Sequence, residues 1–280
     1  MQFVRYTTGS TPQWGVRRDD EIVPLAGLRE DVTYQQLTDG GFLNVVEDAA
    51  DAAAEQAVPV EKARLLAPVP RPGKIVCVGL NYHDHAEEQD KGVPERPLLF
   101  GKSDTSVTNP GDPIVNPSEV EELDYEVELG VVIGRTAKDV NASEAREYVA
   151  GYTAINDVSA RDAQFEDGQY LRGKSYDTFA PMGPTLVPDE HIDPNTLDVA
   201  CRVNGETLQE SNTEQFIFDV NEVVEYISGI MTLRPGDVIS TGTPGGVGIF
   251  RDPPELLEAG DEIDVEIEGI GTLTNHVVDE

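Results

Sequence analysis

The sequence predicts a mainly β protein of the α+β class, with a large domain of many strands and few helices behind a small N-terminal domain. From about residue 70 onward, short β-like segments alternate with glycine and proline. Just ahead of them, the proline-rich segment APVPRPG resists both helix and central strand. We therefore expect an N-terminal α+β domain over residues 1–66, a linker over 67–73 and the main domain over 74–280.

The strands follow from short apolar runs bounded by turn residues. The N-terminal part contains three such pieces, QFVRY, WGVRR and EIVPL, and then an alanine- and acid-rich stretch of helical character over residues 45–57. In the main domain the predicted strands are 75–80, 97–101, 125–134, 151–156, 197–203, 237–241 and 261–268.

Three helices and one hairpin complete the predicted elements. Helices are expected over 82–91, over 219–230, and after Asn141, which would be the N-cap, with Glu144 in the capping-box position and Gly151 as the stop. Asn204-Gly205 predicts a two-residue hairpin turn.

Charge and composition exclude several classes of function. The chain has 53 acidic and 20 basic residues, a net charge of −33, which would repel nucleic acids and anionic membranes. Since 39% of its residues are hydrophobic, it can build a core, and we attribute the acidity to a very salty cytoplasm in a halophile. The sequence contains no spanning segment or signal peptide, so a cytoplasmic protein is expected. Cys77 and Cys201 lie in apolar runs and are expected to be buried and unpaired.

Two carboxylates share one face of a predicted strand. In LDYEVELGVVIG, alternation puts Glu126 and Glu128 on the same side, about 7 Å apart by the strand rise. Asp157 ends the following apolar strand. Bare carboxylates entering a core would repel each other, and a hard divalent cation would relieve that cost. The alternatives are a solvent face for the pair and a helix N-cap for Asp157.

A short polar helix and two lysines supply candidates for proton transfer and anion binding. His85 and Glu88 stand three residues apart on the helix, so a carboxylate could orient the imidazole as a base. A zinc site at His83 and His85 is disfavoured, since no third ligand has matching spacing. Lys102 and Lys174 lie in apolar, glycine-flanked segments, where a lysine can bind an anionic oxygen, although Lys102 could simply balance nearby acids.

Two glycine-containing loops allow close approach of the backbone to a ligand. In PGDVISTGTPGGVG, the loop after the strand could offer Thr243 and neighbouring donors to a carboxylate, or be a plain turn. Residues 168–175, GQYLRGKS, match the phosphate-loop pattern but lack its flanking strand and long helix, so we treat that match as accidental.

The ordered set of these motifs resembles the fumarylacetoacetate hydrolase superfamily, particularly its acylpyruvase-like branch, over about residues 70–280. NYHDHAEE, LFGKSD, DYEVELGVVIG, NDVSARDAQ, GKSYDTFAPMGP and PGDVISTGTPGGVG carry the resemblance. It implies a mixed β-roll, a homodimer, and Mg²⁺ or Mn²⁺ (Ca²⁺ in some crystals) on Glu126, Glu128 and Asp157. It further implies a His85–Glu88 dyad on a lid helix, an active-site Lys174, and substrate-binding roles for Lys102, Arg161, Gln164 and Thr243.

The resemblance implies an enzyme that acts on a small 2-oxo acid through an enolate. The first expectation is hydrolysis of a C–C bond in an acylpyruvate-type 2,4-diketo acid. The alternatives on the same site are isomerisation or decarboxylation of an unsaturated 2-oxo diacid, oxaloacetate decarboxylation, and dehydration of a 2-keto-3-deoxy sugar acid. From other classes, a structural metal-binding module and a nucleotide hydrolase stay open at this point.

Overall fold

The computed structural model describes residues 1–25 and 33–280, and most of its regular structure is β. In chain order the strands are β1 Gln2–Thr7, β2 Gln13–Arg18, β3 Glu21–Pro24, β4 Val58–Pro59, β5 Arg64–Leu66, β6 Ile75–Gly79, β7 Leu98–Lys102, β8 Val107–Thr108, β9 Pro113–Asn116, β10 Leu123–Asp124, β11 Val127–Ile133, β12 Val149–Asn156, β13 Ser159–Ala160, β14 Ala180–Val187, β15 Asp198–Val203, β16 Glu206–Asn212, β17 Val238–Ser240, β18 Glu262–Ile267 and β19 Gly271–Asp279. The α-helices are α1 Gly40–Ala52, α2 His83–Glu88, α3 Arg161–Asp167, α4 Leu171–Lys174 and α5 Val220–Ile230.

The strands form one large sheet, one smaller sheet and a two-stranded sheet of β10 and β13. The order of the large sheet is β4-β3-β2-β1-β14-β12-β11-β17-β6-β7, with β5 on β1 and β8 on β14, and that of the smaller sheet is β16-β15-β18-β19-β9. Strand β11 lies between β12 and β17, and β17 pairs in parallel with β6. The N-terminal strands are therefore hydrogen-bonded into the same sheet as the main-domain strands, through β1 and β14.

Both faces of the large sheet are covered, which explains why every residue of β11 and β12 is buried. Val131 packs in a core cluster with Val199 and Val265 of the smaller sheet. Its neighbour Val132 belongs to the opposite cluster, with Leu43 of α1 and other residues of the N-terminal part. Strand alternation thus directs successive valines into two cores.

The mainly β architecture agrees with the fold class that the sequence predicts, and most predicted elements lie within two residues of observed ones. The hairpin turn falls at Asn204 and Gly205, both with positive φ, and Asp219 caps α5 with the reciprocal bonds to Glu222 of a capping box. Cys77 and Cys201 are free and buried, as predicted.

The helix predicted after Asn141 is wrong in type and extent. Ala142–Tyr148 is a 3₁₀ helix, the Asn141 side chain makes no cap bond, and Gly151 lies inside β12 instead of stopping the helix. Val149 pairs with Ile133 across the sheet, so burial in a central strand wins over continuation of the helix.

Candidate active site

Two neighbouring strand ends bring the three predicted carboxylates together. Glu126 precedes β11 and Asp157 follows β12, and the Asp157 amide donates to the Glu126 carbonyl at 2.9 Å. One oxygen from each of Glu126, Glu128 and Asp157 lies within 4.8 Å of the other two, and all three side chains are buried. The solvent-face alternative is therefore wrong for this pair of glutamates, since Glu126 is 6% and Glu128 2% exposed.

Two cations compensate the charge of Glu126. Its Oε1 accepts from Arg161 Nη2 at 2.7 Å, and its Oε2 accepts from Lys174 Nζ at 2.7 Å. Burial alone would raise its pKa, but the charges of Lys174 and Arg161 outweigh that effect and hold the pKa well below its ordinary range. Glu126 therefore stays ionised.

Glu128, in contrast, accepts hydrogen bonds only from neutral donors of the described residues. Ser240 Oγ and the Gly242 amide both donate to Oε2, and no donor among the described residues reaches Oε1. Burial raises the pKa of Glu128 well above its ordinary value, and the adjacent Asp157 and Glu126 charges raise it further. Glu128 is thus the one carboxylate of the three with no cation of the described residues bonded to it, and the oxygen atoms of the cluster fit a hard divalent cation such as Mg²⁺ or Mn²⁺.

Two buried lysines accompany the carboxylates. Lys174 Nζ bridges Glu126 and Asp157, at 2.7 and 2.8 Å, and although burial lowers its pKa, the two carboxylates raise it above the ordinary value. Lys102 donates to Asp157 and to the Val158 carbonyl. Burial dominates there and lowers the pKa of Lys102. Because Lys174 bonds carboxylates, the phosphate-loop match around it is accidental in structure as well.

Arg161 links the cluster to a carboxylate that the sequence interpretation overlooked. Its Nε donates to Asp124 at 2.8 Å and its Nη1 to Gln164 at 2.9 Å, and the side chain is 3% exposed. Asp124 in turn accepts from the amides of Gly248 and Ile249, both at 3.0 Å. Asp124 thereby ties β10 to the loop after β17, and its only sequence signal is its place beside Tyr125 and Glu126.

The predicted dyad forms on α2. Nδ1 of His85 lies 2.9 Å from Glu88 Oε2, and the Gly246 amide donates to Glu88 Oε1 at 2.8 Å. Asp84 on the same helix accepts from the Gly245 amide at 3.1 Å. The glycine loop thus holds α2 at two points. His83 is exposed, and within residues 1–25 and 33–280 the carboxylate triad is the one cluster of ligand types close enough to hold a metal, so the zinc alternative lacks support.

A cavity of about 360 Å³ joins these groups. Of the predicted site residues, its walls include His85, Glu88, Glu126, Glu128, Arg161, Gln164, Lys174 and Thr243, whereas Asp157 and Lys102 lie behind the wall. Gln209 donates to Thr243 Oγ1 at 2.8 Å and accepts from the Val127 amide at 2.9 Å, which fixes the threonine against β11. Gln209 and Ser240, like Asp124, are contacts that only the tertiary structure brings to the site.

Sequence comparison finds a match in one protein family over most of the chain. The model described as "Fumarylacetoacetate (FAA) hydrolase C-terminal" matches residues 74–278, and one described as "Rv2993c-like, N-terminal" matches residues 1–68. The chain is 48% identical over 229 residues to the mitochondrial oxaloacetate tautomerase Fahd2a of Rattus norvegicus, covering 81% of this chain and 73% of the relative.

Solved structures with the same architecture include enzymes of this family. The fumarylacetoacetate hydrolase of Exiguobacterium antarcticum superposes with a TM-score of 0.88 at 39% identity, and each chain is covered completely. A 2-hydroxyhepta-2,4-diene-1,7-dioate isomerase from Mycobacterium marinum gives a TM-score of 0.80 at 35% identity, covering 100% of this chain and 99% of the other. Among the described residues, no helix combines the length and apolar character needed to cross a membrane.

Proposed function

The chain belongs to the fumarylacetoacetate hydrolase family of enzymes, and we propose that it moves a proton on a small 2-oxo acid, with tautomerisation of an oxaloacetate-type diacid as its reaction. One observation carries the proposal: the His85–Glu88 pair and the three clustered carboxylates line or back one cavity of about 360 Å³. The similarity to oxaloacetate tautomerases and to a dienedioate isomerase supports this choice of reaction.

Glu126, Glu128 and Asp157 would hold Mg²⁺ or Mn²⁺. When bound, the divalent ion supplies the Lewis-acid charge that stabilises an enolate. The protein's part is to keep this set of oxygens rigid: β11 and β12 fix the backbone, while Ser240 and the Gly242 amide fix Glu128.

His85 is the group that would move the proton. Glu88 accepts from Nδ1, which leaves Nε2 as the basic nitrogen, and the Gly246 amide fixes Glu88 in turn. His85 Nε2 takes the proton from the carbon next to the 2-oxo group, and that proton is returned to the oxygen. The reaction breaks one C–H bond, forms one O–H bond and needs no other reactant.

Lys174 would balance the charge that develops on the substrate oxygen. Its raised pKa keeps the ammonium charged, and the side chain is buried, so its charge is little screened by water. Gln164 and Thr243 line the same cavity and offer neutral hydrogen bonds to the substrate's carboxylate.

Hydrolysis of an acylpyruvate-type 2,4-diketo acid is the second candidate, and the full-length similarity to a fumarylacetoacetate hydrolase favours it. In that reaction His85 would take a proton from water, and the hydroxide would add to the distal carbonyl. The C–C bond would then break to give a carboxylic acid and a pyruvate enolate, which takes up one proton.

A substrate panel with Mg²⁺ separates the candidates. Oxaloacetate, an acylpyruvate and fumarylpyruvate are offered to wild-type enzyme and to His85→Ala, and enol content, acid release and CO₂ release are followed. We expect faster keto–enol exchange of oxaloacetate, and a loss of about 10²–10⁴-fold in His85→Ala. Acid release from the acylpyruvate without oxaloacetate exchange would favour the hydrolase, and full activity in His85→Ala would refute both. A sizing measurement would test the predicted homodimer.

A further inference from the structure

A side-chain bridge in the lid occupies the nitrogen that the proposed reaction needs free. Lys91 Nζ donates to Gln89 Oε1 at 2.6 Å, and Gln89 Nε2 lies 2.7 Å from His85 Nε2. We call Lys91, Gln89 and His85 the amide bridge. An ammonium group only donates hydrogen bonds, so the carboxamide oxygen must face Lys91 and its NH₂ must face the imidazole. The NH₂ donates, so His85 Nε2 is the acceptor.

The amide bridge therefore fixes one pattern of hydrogens. His85 Nδ1 carries the proton towards Glu88, and the lone pair of Nε2 is bonded to Gln89. A lone pair that accepts an amide hydrogen bond cannot take a proton from a substrate carbon. The Gln89 side chain must leave before His85 acts as a base.

The Lys91 side chain is exposed, but its backbone is fixed at the end of α2. Its backbone amide donates to the Ala86 carbonyl, the Asp90 amide donates to the Glu87 carbonyl, and Asp90 has a φ of +50°. This is the bond pattern of a Schellman cap, which anchors the residue after the helix to its last turn. Lys91 also lines the cavity that contains His85.

Lys91 differs from the other cations on the cavity wall. Arg161 and Lys174 both bond to carboxylates of the site. For Lys91, no carboxylate of residues 1–25 and 33–280 forms an ion pair, and its side-chain partner is the neutral amide of Gln89. A substrate carboxylate would be the stronger partner, because it adds the attraction between opposite charges to the hydrogen bond that the ammonium makes with a neutral amide.

We propose that Lys91 recognises the distal carboxylate of a dicarboxylic 2-oxo acid and that this contact frees the base. When Lys91 turns to the carboxylate, Gln89 loses the partner that orients its amide, and His85 Nε2 is released. A 2-oxo acid without a distal carboxylate binds at the carboxylate triad but leaves His85 capped. This inference rests on the proposed function and narrows its substrate to diacids.

The test compares oxaloacetate with its 4-methyl ester, which lacks only the distal charge. Values of kcat and KM are measured with Mg²⁺ at fixed ionic strength for wild type, Lys91→Met, Lys91→Arg and Gln89→Leu. Lys62→Met, at an exposed lysine far from the lid in sequence, controls for net charge. Lys91→Met should lower the diacid-to-ester ratio of kcat/KM at least tenfold, while Lys91→Arg and Lys62→Met keep it within about threefold.

Gln89→Leu separates a releasable cap from a merely structural glutamine. The ester has no distal carboxylate to draw Lys91 away from Gln89, so Gln89 keeps His85 Nε2 capped. Removal of the Gln89 amide should therefore raise kcat for the ester several-fold. An unchanged ratio in Lys91→Met, or an equal loss of kcat for both substrates in Gln89→Leu, would overturn the inference.

Failure of the proposed function gives a different result. If wild-type enzyme turns over neither compound, binding of malate and its 4-methyl ester is measured by titration calorimetry with Mg²⁺. A preference for malate that Lys91→Met removes would retain the carboxylate recognition, whereas equal binding of both by the wild type would refute it.

Discussion

Replacing Glu128 by glutamine should stabilise the metal-free protein while abolishing its response to metal. Both donors to Glu128, Ser240 Oγ and the Gly242 amide, bond to the same oxygen, Oε2. The amide oxygen of glutamine can accept both bonds, and its NH₂ then stands where Oε1 stood, facing the remaining carboxylates as a donor. A repelled buried charge is thereby exchanged for a hydrogen-bond donor of the same shape.

The structure indicates the size and the pH dependence of the effect. Removing an uncompensated buried charge without breaking its hydrogen bonds should add about 1–3 kcal/mol to the unfolding free energy without metal. The folded pKa of Glu128 is raised above its ordinary 4.5, so its contribution to stability is complete below pH 4.5 and is lost as the pH rises. The advantage of Glu128→Gln over wild type should therefore grow as the pH rises above 4.5.

Chemical denaturation with and without Mg²⁺ measures both effects, in constant KCl because of the net charge of −33. Wild-type protein should gain about 2.7 kcal/mol when Mg²⁺ is present at 100 times its dissociation constant, and Glu128→Gln should gain nothing at that concentration. Glu55→Gln removes the same charge at an exposed position and should behave as wild type. The reasoning is refuted if Glu128→Gln is less stable than wild type in EDTA, or if Mg²⁺ still stabilises it.

Three further substitutions test the supports of the site. Asp124→Asn leaves the guanidinium of Arg161 with one fewer buried carboxylate. We expect the free energy of unfolding, measured with denaturant, to fall by about 3–5 kcal/mol, and Mg²⁺ binding, measured by calorimetry, to weaken. Unchanged stability would contradict this. Gly246→Ala places a Cβ 2.2 Å from a backbone oxygen of β16, at a residue whose φ is +96°. The free energy of unfolding should therefore fall by about 1–3 kcal/mol. Because the Gly246 amide that holds Glu88 must shift, kcat should fall as well. Lys174→Met removes a cation from the triad, so Mg²⁺ should bind several-fold more tightly while kcat falls at least 100-fold; a parallel loss of both would refute the assigned role.

The carboxylate triad could be predicted because its signals are local. Alternation puts Glu126 and Glu128 on one side of a strand, and an aspartate at the end of the next strand returns to the same edge in an antiparallel pair. Spacing alone left the solvent-face alternative open, and the order of the motifs favoured the metal site. The roles of the individual residues remain predictions until the variants are measured.

The supports of the triad could not be predicted, since they depend on long-range packing. Gln209 reaches the Val127 amide across 82 positions of sequence, and Ser240 reaches Glu128 across 112. Neither residue stands in a pattern that marks it as different from any other polar residue beside a strand. The amide bridge was missed for another reason. In the sequence Gln89 and Lys91 look like ordinary residues at the end of a helix, and only the structure shows that they line the cavity.

Strand β14 is a backbone element that local sequence patterns also failed to predict. APMGPTLV contains two prolines and a glycine, a composition that argues against a central strand, and it was absent from the predicted strands. In the structure it lies between β1 and β12, and the β12–β14 ladder is irregular between Tyr152 and Ala154. A proline lacks only its own backbone N–H. Where the register shifts, that N–H is not needed for the ladder, so a strand inside the sheet can tolerate a proline there.

The acidic surface bears on how the proposed anionic substrate would reach the site. A net charge of −33 repels a dianion at long range, but exposed charges are screened within about 8 Å at physiological ionic strength, whereas buried charges are screened much less. Three of the six lysines, Lys91, Lys102 and Lys174, stand at or behind one cavity, together with Arg161. Salt therefore weakens the general repulsion more than the local attraction. Of these cations, Lys102, Lys174 and Arg161 are already bonded to carboxylates of the site, so the proposed diacid would meet Lys91, which forms no ion pair within residues 1–25 and 33–280.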